Sequence, residues 1–114
     1  MFPADEALAA GLVRSVHAPE DLLPAAYALA REIADNTAPV SVALTRQMLW
    51  RLASAEHPMA AHRVDSRAVL ARRVGGDARE GIGAFLEKRA AVFPDKVSSD
   101  MPDFFPWWDE PDYR

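Results

Sequence analysis

Asp77 and Glu80 are carboxylates three positions apart, directly ahead of an apolar run. A carboxylate pair can divide acid and base work between its members. This spacing instead matches a capping box, in which each side chain takes a backbone N–H at a helix start. Asp77 is therefore read as the helix cap and Glu80 as its reciprocal partner. Ile82, Phe85, Leu86 and Arg89 follow at helical spacing. Lys88 and Arg89 are expected in the last turn, where the helix dipole favours cations. His17, His57 and His62 lack metal-ligand spacing, because His57 and His62 are five apart with Pro58 between them. No metal site is expected. Arg63, Arg67, Arg72 and Arg73 read as a solvated face, with binding of an acidic ligand or partner as the alternative, and Trp107–Trp108 as structural or interface anchors, with a ligand platform as the alternative. No catalytic residue emerges from these patterns.

The elements that would position these residues are mostly helical. Pro3 to Ala10 reads as a short helix stopped by Gly11, and residues 12–16 alternate as a short extended segment. His17-Ala18-Pro19 reads as a turn. A long helix is expected from about Asp21 to Asn36, with Pro24 tolerated in a first turn capped by Asp21. A second runs roughly from Val40 to Ser54. It carries Val40, Leu44, Met48 and Leu52 on one side and Val42, Leu49 and Ala53 on another, so neighbours are expected on both. A third helix opens after His57-Pro58 and ends near Arg73, and Gly75-Gly76 breaks the chain before the helix that starts at Asp77. Gly81 and Gly83 each weaken that last helix by about 1 kcal/mol, which close approach of another backbone or ligand would offset; an ordinary turn of helix is the equal alternative. Pro94 to Arg114 holds four prolines with Phe104, Phe105, Trp107, Trp108 and Tyr113. It is expected to be an irregular tail packed on its own domain or on another subunit.

The predicted fold is all-α: about four main helices, a short N-terminal helix with an extended segment, and an irregular aromatic tail. Residues 1–93 form the helical region and residues 94–114 the tail. The 114 residues suffice for one small domain, and half of them are hydrophobic, so a core can form. A net charge of −4 supplies no broad basic field, so no nucleic-acid partner is expected. Cysteine is absent, which excludes disulfides and thiolate metal sites and fits a cytoplasmic location. No apolar run spans a bilayer, and Met1 to Glu6 lacks the marks of a signal peptide, so no membrane association is expected.

Asp77 to Phe93 contains E-G-I-G-A-F-L-E-K-R, which resembles the E-G-x-x-A-F-x-E-K-R signature of the enoyl-CoA hydratase/isomerase (crotonase) family. Phe2 to Val13 is similar to that family's F-x-A-x-E-A-x-x-x-G-L-V segment. The helix ending at Asn36, followed by Pro39 and Thr45-Arg46, is similar to a further family region, with Arg46 where lysine is usual. Gly75-Gly76 also departs from the family, which often has Ser-x ahead of the capping Asp. The three motifs come in family order and cover the chain to Phe93.

The resemblance implies the helical C-terminal region of an enzyme acting on acyl-CoA thioesters, most simply hydrating a 2-enoyl-CoA. A non-catalytic helical interaction or assembly module is the alternative. The family's oxyanion hole and proton-moving carboxylates lie upstream of these motifs, so no catalytic residue is carried over and no activity is expected from this chain alone. Phe85 and Lys88 are carried over as coenzyme A-binding residues, near the adenine and phosphate end. On residue pattern alone, Phe85 also reads as core packing and Lys88 as a dipole-satisfying cation. No cofactor is implied beyond the coenzyme A thioester, which is substrate. A homo-oligomer, trimer or hexamer, is implied. Exposed apolar helix faces at Met48, Leu49, Trp50 and Leu52 would drive self-association.

Overall fold

The structure, a computed structural model, describes residues 1–110 and residue 112; Tyr113 of the tail lies outside the described residues. Among the described residues five helices follow in order: α1 (Ala4–Ala9), α2 (Pro19–Asn36), α3 (Pro39–Leu52), α4 (Met59–Arg73) and α5 (Gly76–Glu87). No strand occurs among the described residues, so the all-α expectation holds. No helix among them is long and apolar enough to cross a membrane. The chain divides into two compact units, Met1–Asp35 and Asn36–Arg114.

In the first unit, Pro3 is extended ahead of α1, and Asp5 and Glu6 lie in the first turn, where the dipole favours them. Gly11 adopts φ +72°. That left-handed residue turns the chain back, so the N–H groups of Leu12 and Val13 both donate to the Ala7 carbonyl, at 2.9 and 3.4 Å. Residues 12–14 are therefore bent, and the expected extended segment does not form. Its first donors are used by the helix end instead of a neighbouring strand.

Helix α2 begins two residues earlier than expected. The N–H groups of Asp21 and Leu22 donate to the Ala18 carbonyl at 3.0 and 3.1 Å, which makes Pro19, not Asp21, the opening residue. Pro24 consequently lies beyond the first turn. Its missing N–H leaves the Glu20 carbonyl without its ordinary helical donor. No side chain of α2 is buried.

In the second unit, Pro39 opens α3, and Val40 and Leu44 point inward at 0% and 1% exposure. With Ala68 of α4 they form a core against which Met101, Phe104, Phe105 and Trp107 of the tail pack. The opposite side of α3 is open, since Val42 and Leu49 are exposed. The two-sided burial expected of this helix is therefore one-sided. His57 serves the start of α4, its Nδ1 accepting from the Met59 N–H at 3.0 Å.

The described part of the tail is irregular, as expected. It opens with a turn in which Asp100 Oδ2 accepts from the Lys96 N–H and from Ser99 Oγ, both at 2.8 Å. Those two bonds hold the Asp100 carboxyl below its ordinary value, the Lys96 amide foremost. Beyond the turn, Phe105, Trp107 and Trp108 meet edge to face, with centroids 4.9 to 5.9 Å apart.

Candidate functional site

The joint between α4 and α5 brings Arg72, Asp77 and Asp95 together. Asp77 is not the helix cap: that position is Gly75, which has no side chain to give. Asp77 lies inside the first turn at 4% exposure, its Oδ1 accepting from the Asp95 N–H at 3.0 Å. Asp95 Oδ2 in turn accepts from the Asp77 N–H at 3.3 Å. The orphan donor of the helix start is thus satisfied from eighteen residues away instead of by a local side chain. The Arg72 guanidinium bonds Asp95 and lies 3.7 Å from Asp77 Oδ2, with Arg72 and Asp95 side chains each 15% exposed. A second donation, from Arg72 Nη1 to the Asp100 carbonyl at 3.1 Å, ties the same arginine further along the tail. Arg72 accordingly leaves the solvated face expected of the α4 arginines. Arg67 departs from it too, its guanidinium lying 4.4 Å over the Phe104 ring.

Gly75 and Gly76 are what allow this approach. A Cβ at Gly76 would lie 2.8 Å from Asp95 Oδ1 and 2.9 Å from Pro94 Cγ, and one at Gly75 would lie 2.9 Å from Arg72 Nη2. At Gly81 a Cβ would meet only Phe93, at 3.6 Å, an ordinary contact. Gly81 and Gly83 thus lie in an ordinary turn of helix, and the close approach is at Gly75-Gly76. Gly76→Ala is expected to cost about 1–3 kcal/mol, the range for overpacking a filled site. Urea denaturation measures it, and a midpoint equal to the parent's would show that Asp95 and Pro94 yield freely.

Glu80 does not complete a capping box either. Its two oxygens take the Arg89 guanidinium at 2.6 and 2.9 Å, and Oε1 also accepts from the Val92 N–H at 2.7 Å. It fastens the segment after α5 back onto the helix. The Arg89 bonds, followed by that of Val92, lower the Glu80 carboxyl from 4.5 to about 2. Glu80 and Glu87 together raise Arg89 above its ordinary value. A carboxyl lowered on folding contributes stability that is complete above its unfolded value and is lost as pH falls through its folded one. Glu80→Gln is thus expected to flatten the fall in stability between pH about 4.5 and about 2. Parallel acid titrations of both proteins would refute this if their curves kept the same slope.

Phe85 and Lys88 lie together at the far end of α5. The helix ends at Glu87, so Lys88 and Arg89 are past the last turn in which they were expected. Lys88 takes φ 57°, and its N–H donates to the Phe85 carbonyl at 3.4 Å. The left-handed turn lays the side chain back over the helix, with Nζ 4.8 Å from the Phe85 ring centroid. Phe85 is 72% exposed, so within this chain it is not a core residue. Leu86 and Ile82 beside it are exposed as well. The result is an open aromatic face with an ammonium on it, suited to a flat ring and an attached anionic group. Asp77 and Glu80, the two carboxylates singled out by spacing, are both engaged by arginines and backbone N–H groups. Among the described residues, no three His, Asp or Glu side chains gather to hold a metal.

Two features escaped the sequence reading. The Asp95 cap had no local signal, since capping rules look only a few residues either way. The pairing of Arg51 with Trp108 and Glu110 joins positions nearly sixty apart.

A family model described as enoyl-CoA hydratase/isomerase matches residues 1–96. The enoyl-CoA hydratase AFT3-1 of Alternaria alternata is 40% identical over 98 residues, covering 85% of this chain and 32% of that protein. The enoyl-CoA hydratase ACTT3 of the same organism is 38% identical over the same shares. A putative enoyl-CoA hydratase of Thermus thermophilus is 42% identical over 96 residues, 82% of this chain and 36% of that protein. The chain therefore spans about a third of the length of these relatives.

Proposed function

The chain belongs to the enoyl-CoA hydratase/isomerase family, and from that premise we propose that it forms the helical C-terminal region of an enzyme acting on acyl-CoA thioesters, most simply by hydrating a 2-enoyl-CoA. Its part is to supply subunit contacts, in a trimer or hexamer, and one rim of the coenzyme A site. The observation that carries the reading is the match over residues 1–96, within which Phe85 and Lys88 form one exposed pair. Phe85 offers its ring to the adenine, and Lys88 offers a mobile point charge to a phosphate. The reacting carbons of the thioester lie far from that end, so these residues bind the substrate and take no part in proton transfer. The second reading, a non-catalytic assembly module, is favoured by the open apolar side of α3, where Leu49 and Trp50 are exposed.

Lys88 separates the two. In an active enzyme containing this sequence, Lys88→Ala is expected to raise the Michaelis constant for crotonyl-CoA by up to roughly fivefold, the weight of an exposed charge pair. Turnover should change little, because the contact is uniform between ground and transition states. The effect should shrink in high salt as screening grows. A Michaelis constant unchanged at low salt would remove Lys88 from the coenzyme A site and favour the assembly reading.

A further inference from the structure

The stretch from Asn36 to Val74 holds Arg46, Arg51, Arg63, Arg67, Arg72 and Arg73 against Glu56 and Asp65 alone, although the whole chain is net negative. The tail brings acids and aromatic rings to this surface, and one arginine shows how it holds them. The Arg51 guanidinium lies 4.3 Å over the Trp108 ring, and its Nη2 donates to Glu110 Oε1 at 2.8 Å. Trp108 Nε1 donates to the same oxygen at 2.7 Å. A single carboxylate is thus shared by a guanidinium and an indole, while the indole face meets the cation.

Beside this filled seat lies an open one. The Arg46 guanidinium is 5.8 Å from the Trp50 ring centroid, and Trp50 is 72% exposed. Arg46, Gln47, Trp50 and Arg51 line a groove of about 360 Å³. Among the described residues no carboxylate lines it, so the cation and the indole are in place there without the acid that completes the neighbouring seat. The seat next to it is filled by a polypeptide segment, and the cation and indole of the groove match the acid and ring that such a segment carries.

The geometry points to Arg46, Gln47 and Trp50 as a docking site for an acidic peptide segment that carries an aromatic residue. The peptide carboxylate sits on the Arg46 guanidinium and the Gln47 amide, and its ring lies against Trp50. The surface chemistry is that of the Arg51 seat, with a partner chain in place of this chain's own tail. The proposal does not depend on the coenzyme A reading, since α3 and α5 carry the two sites separately.

The test uses the intact chain and a fluorescent peptide copying residues 103–110, Asp-Phe-Phe-Pro-Trp-Trp-Asp-Glu. Fluorescence anisotropy is expected to show saturable binding that weakens in high salt. Arg46→Gln should reduce affinity roughly tenfold, the weight of a charge-assisted hydrogen bond, and Trp50→Leu should reduce it too. Arg63→Gln, on the same basic surface outside the groove, should leave affinity within about twofold if the seat is specific. Absence of binding would overturn the proposal. Equal losses from Arg46→Gln and Arg63→Gln would do so as well, because they would mean unspecific charge attraction. So would loss confined to Arg51→Gln, which would mean that the peptide only displaces the tail. A peptide with its acids amidated that bound equally well would also refute the carboxylate seat.

Discussion

Arg72→Met is expected to destabilise the chain by up to about 3–5 kcal/mol, the upper bound being the cost of removing one partner from a fully buried ion pair. Asp77 is 4% exposed and Asp95 15%, and Arg72 is the cation set between them. Removing it leaves two carboxylates facing each other with little water to screen them. It also releases the donation to the Asp100 carbonyl, which helps hold the tail against α4. A methionine of similar length fills the space, so the loss measures charge more than volume. Urea denaturation, with tryptophan fluorescence as the probe, gives the free energy. Arg63→Met on the exposed face of α4 serves as the comparison and should shift stability by no more than about 0.5 kcal/mol. Equal, small effects from the two variants would mean that the joint admits enough water to make Arg72 dispensable.

This joint also marks where the sequence stopped being legible. The existence of α1 to α5 could be read from periodicity, proline and glycine, because helix signals lie within a few residues of one another. The ends were less legible. Asp21 and Asp77 both looked like caps, yet Ala18 and Gly75 hold those positions. Whether an aspartate caps depends on its backbone conformation, and composition does not disclose that. Asp77 was drawn inside its helix by Asp95 and Arg72, which reach it from eighteen positions downstream and five upstream. Long-range pairing of that kind leaves no periodic trace.

Phe85 and Lys88 were legible as neighbours on the helix and through the family signature. The left-handed turn that lays Lys88 on the Phe85 ring was not, since lysine carries no propensity for it. The arginines of α4 looked alike in the sequence. The structure separates them: Arg72 is sequestered and Arg67 is stacked on Phe104, because the tail lands on that side of the helix.

Leu44→Ala is expected to cost about 2–5 kcal/mol, the range for truncating a buried leucine. Among the described residues, Leu44 and Val40 are the largest side chains fully shut off from solvent, at 1% and 0% exposure. Their cover on one side is the tail, through Met101, Phe104, Phe105 and Trp107. The cavity left by Leu44→Ala can close only if those rings move, and Phe105 and Trp107 are held edge to face with each other while Phe104 lies tilted against Trp107. A site that collapses poorly retains its cavity, which places the cost in the upper half of the range. Leu49→Ala, one turn further along the same helix and on its exposed side, should change stability by no more than about 0.5 kcal/mol. The pair therefore asks which face of α3 holds the second unit together. Trp107→Ala combined with Leu44→Ala should cost less than the two single losses added, because both remove parts of one contact. Additive losses would show that the tail and α3 are held independently, and similar losses from Leu44→Ala and Leu49→Ala would show that the tail does not cover this core in solution.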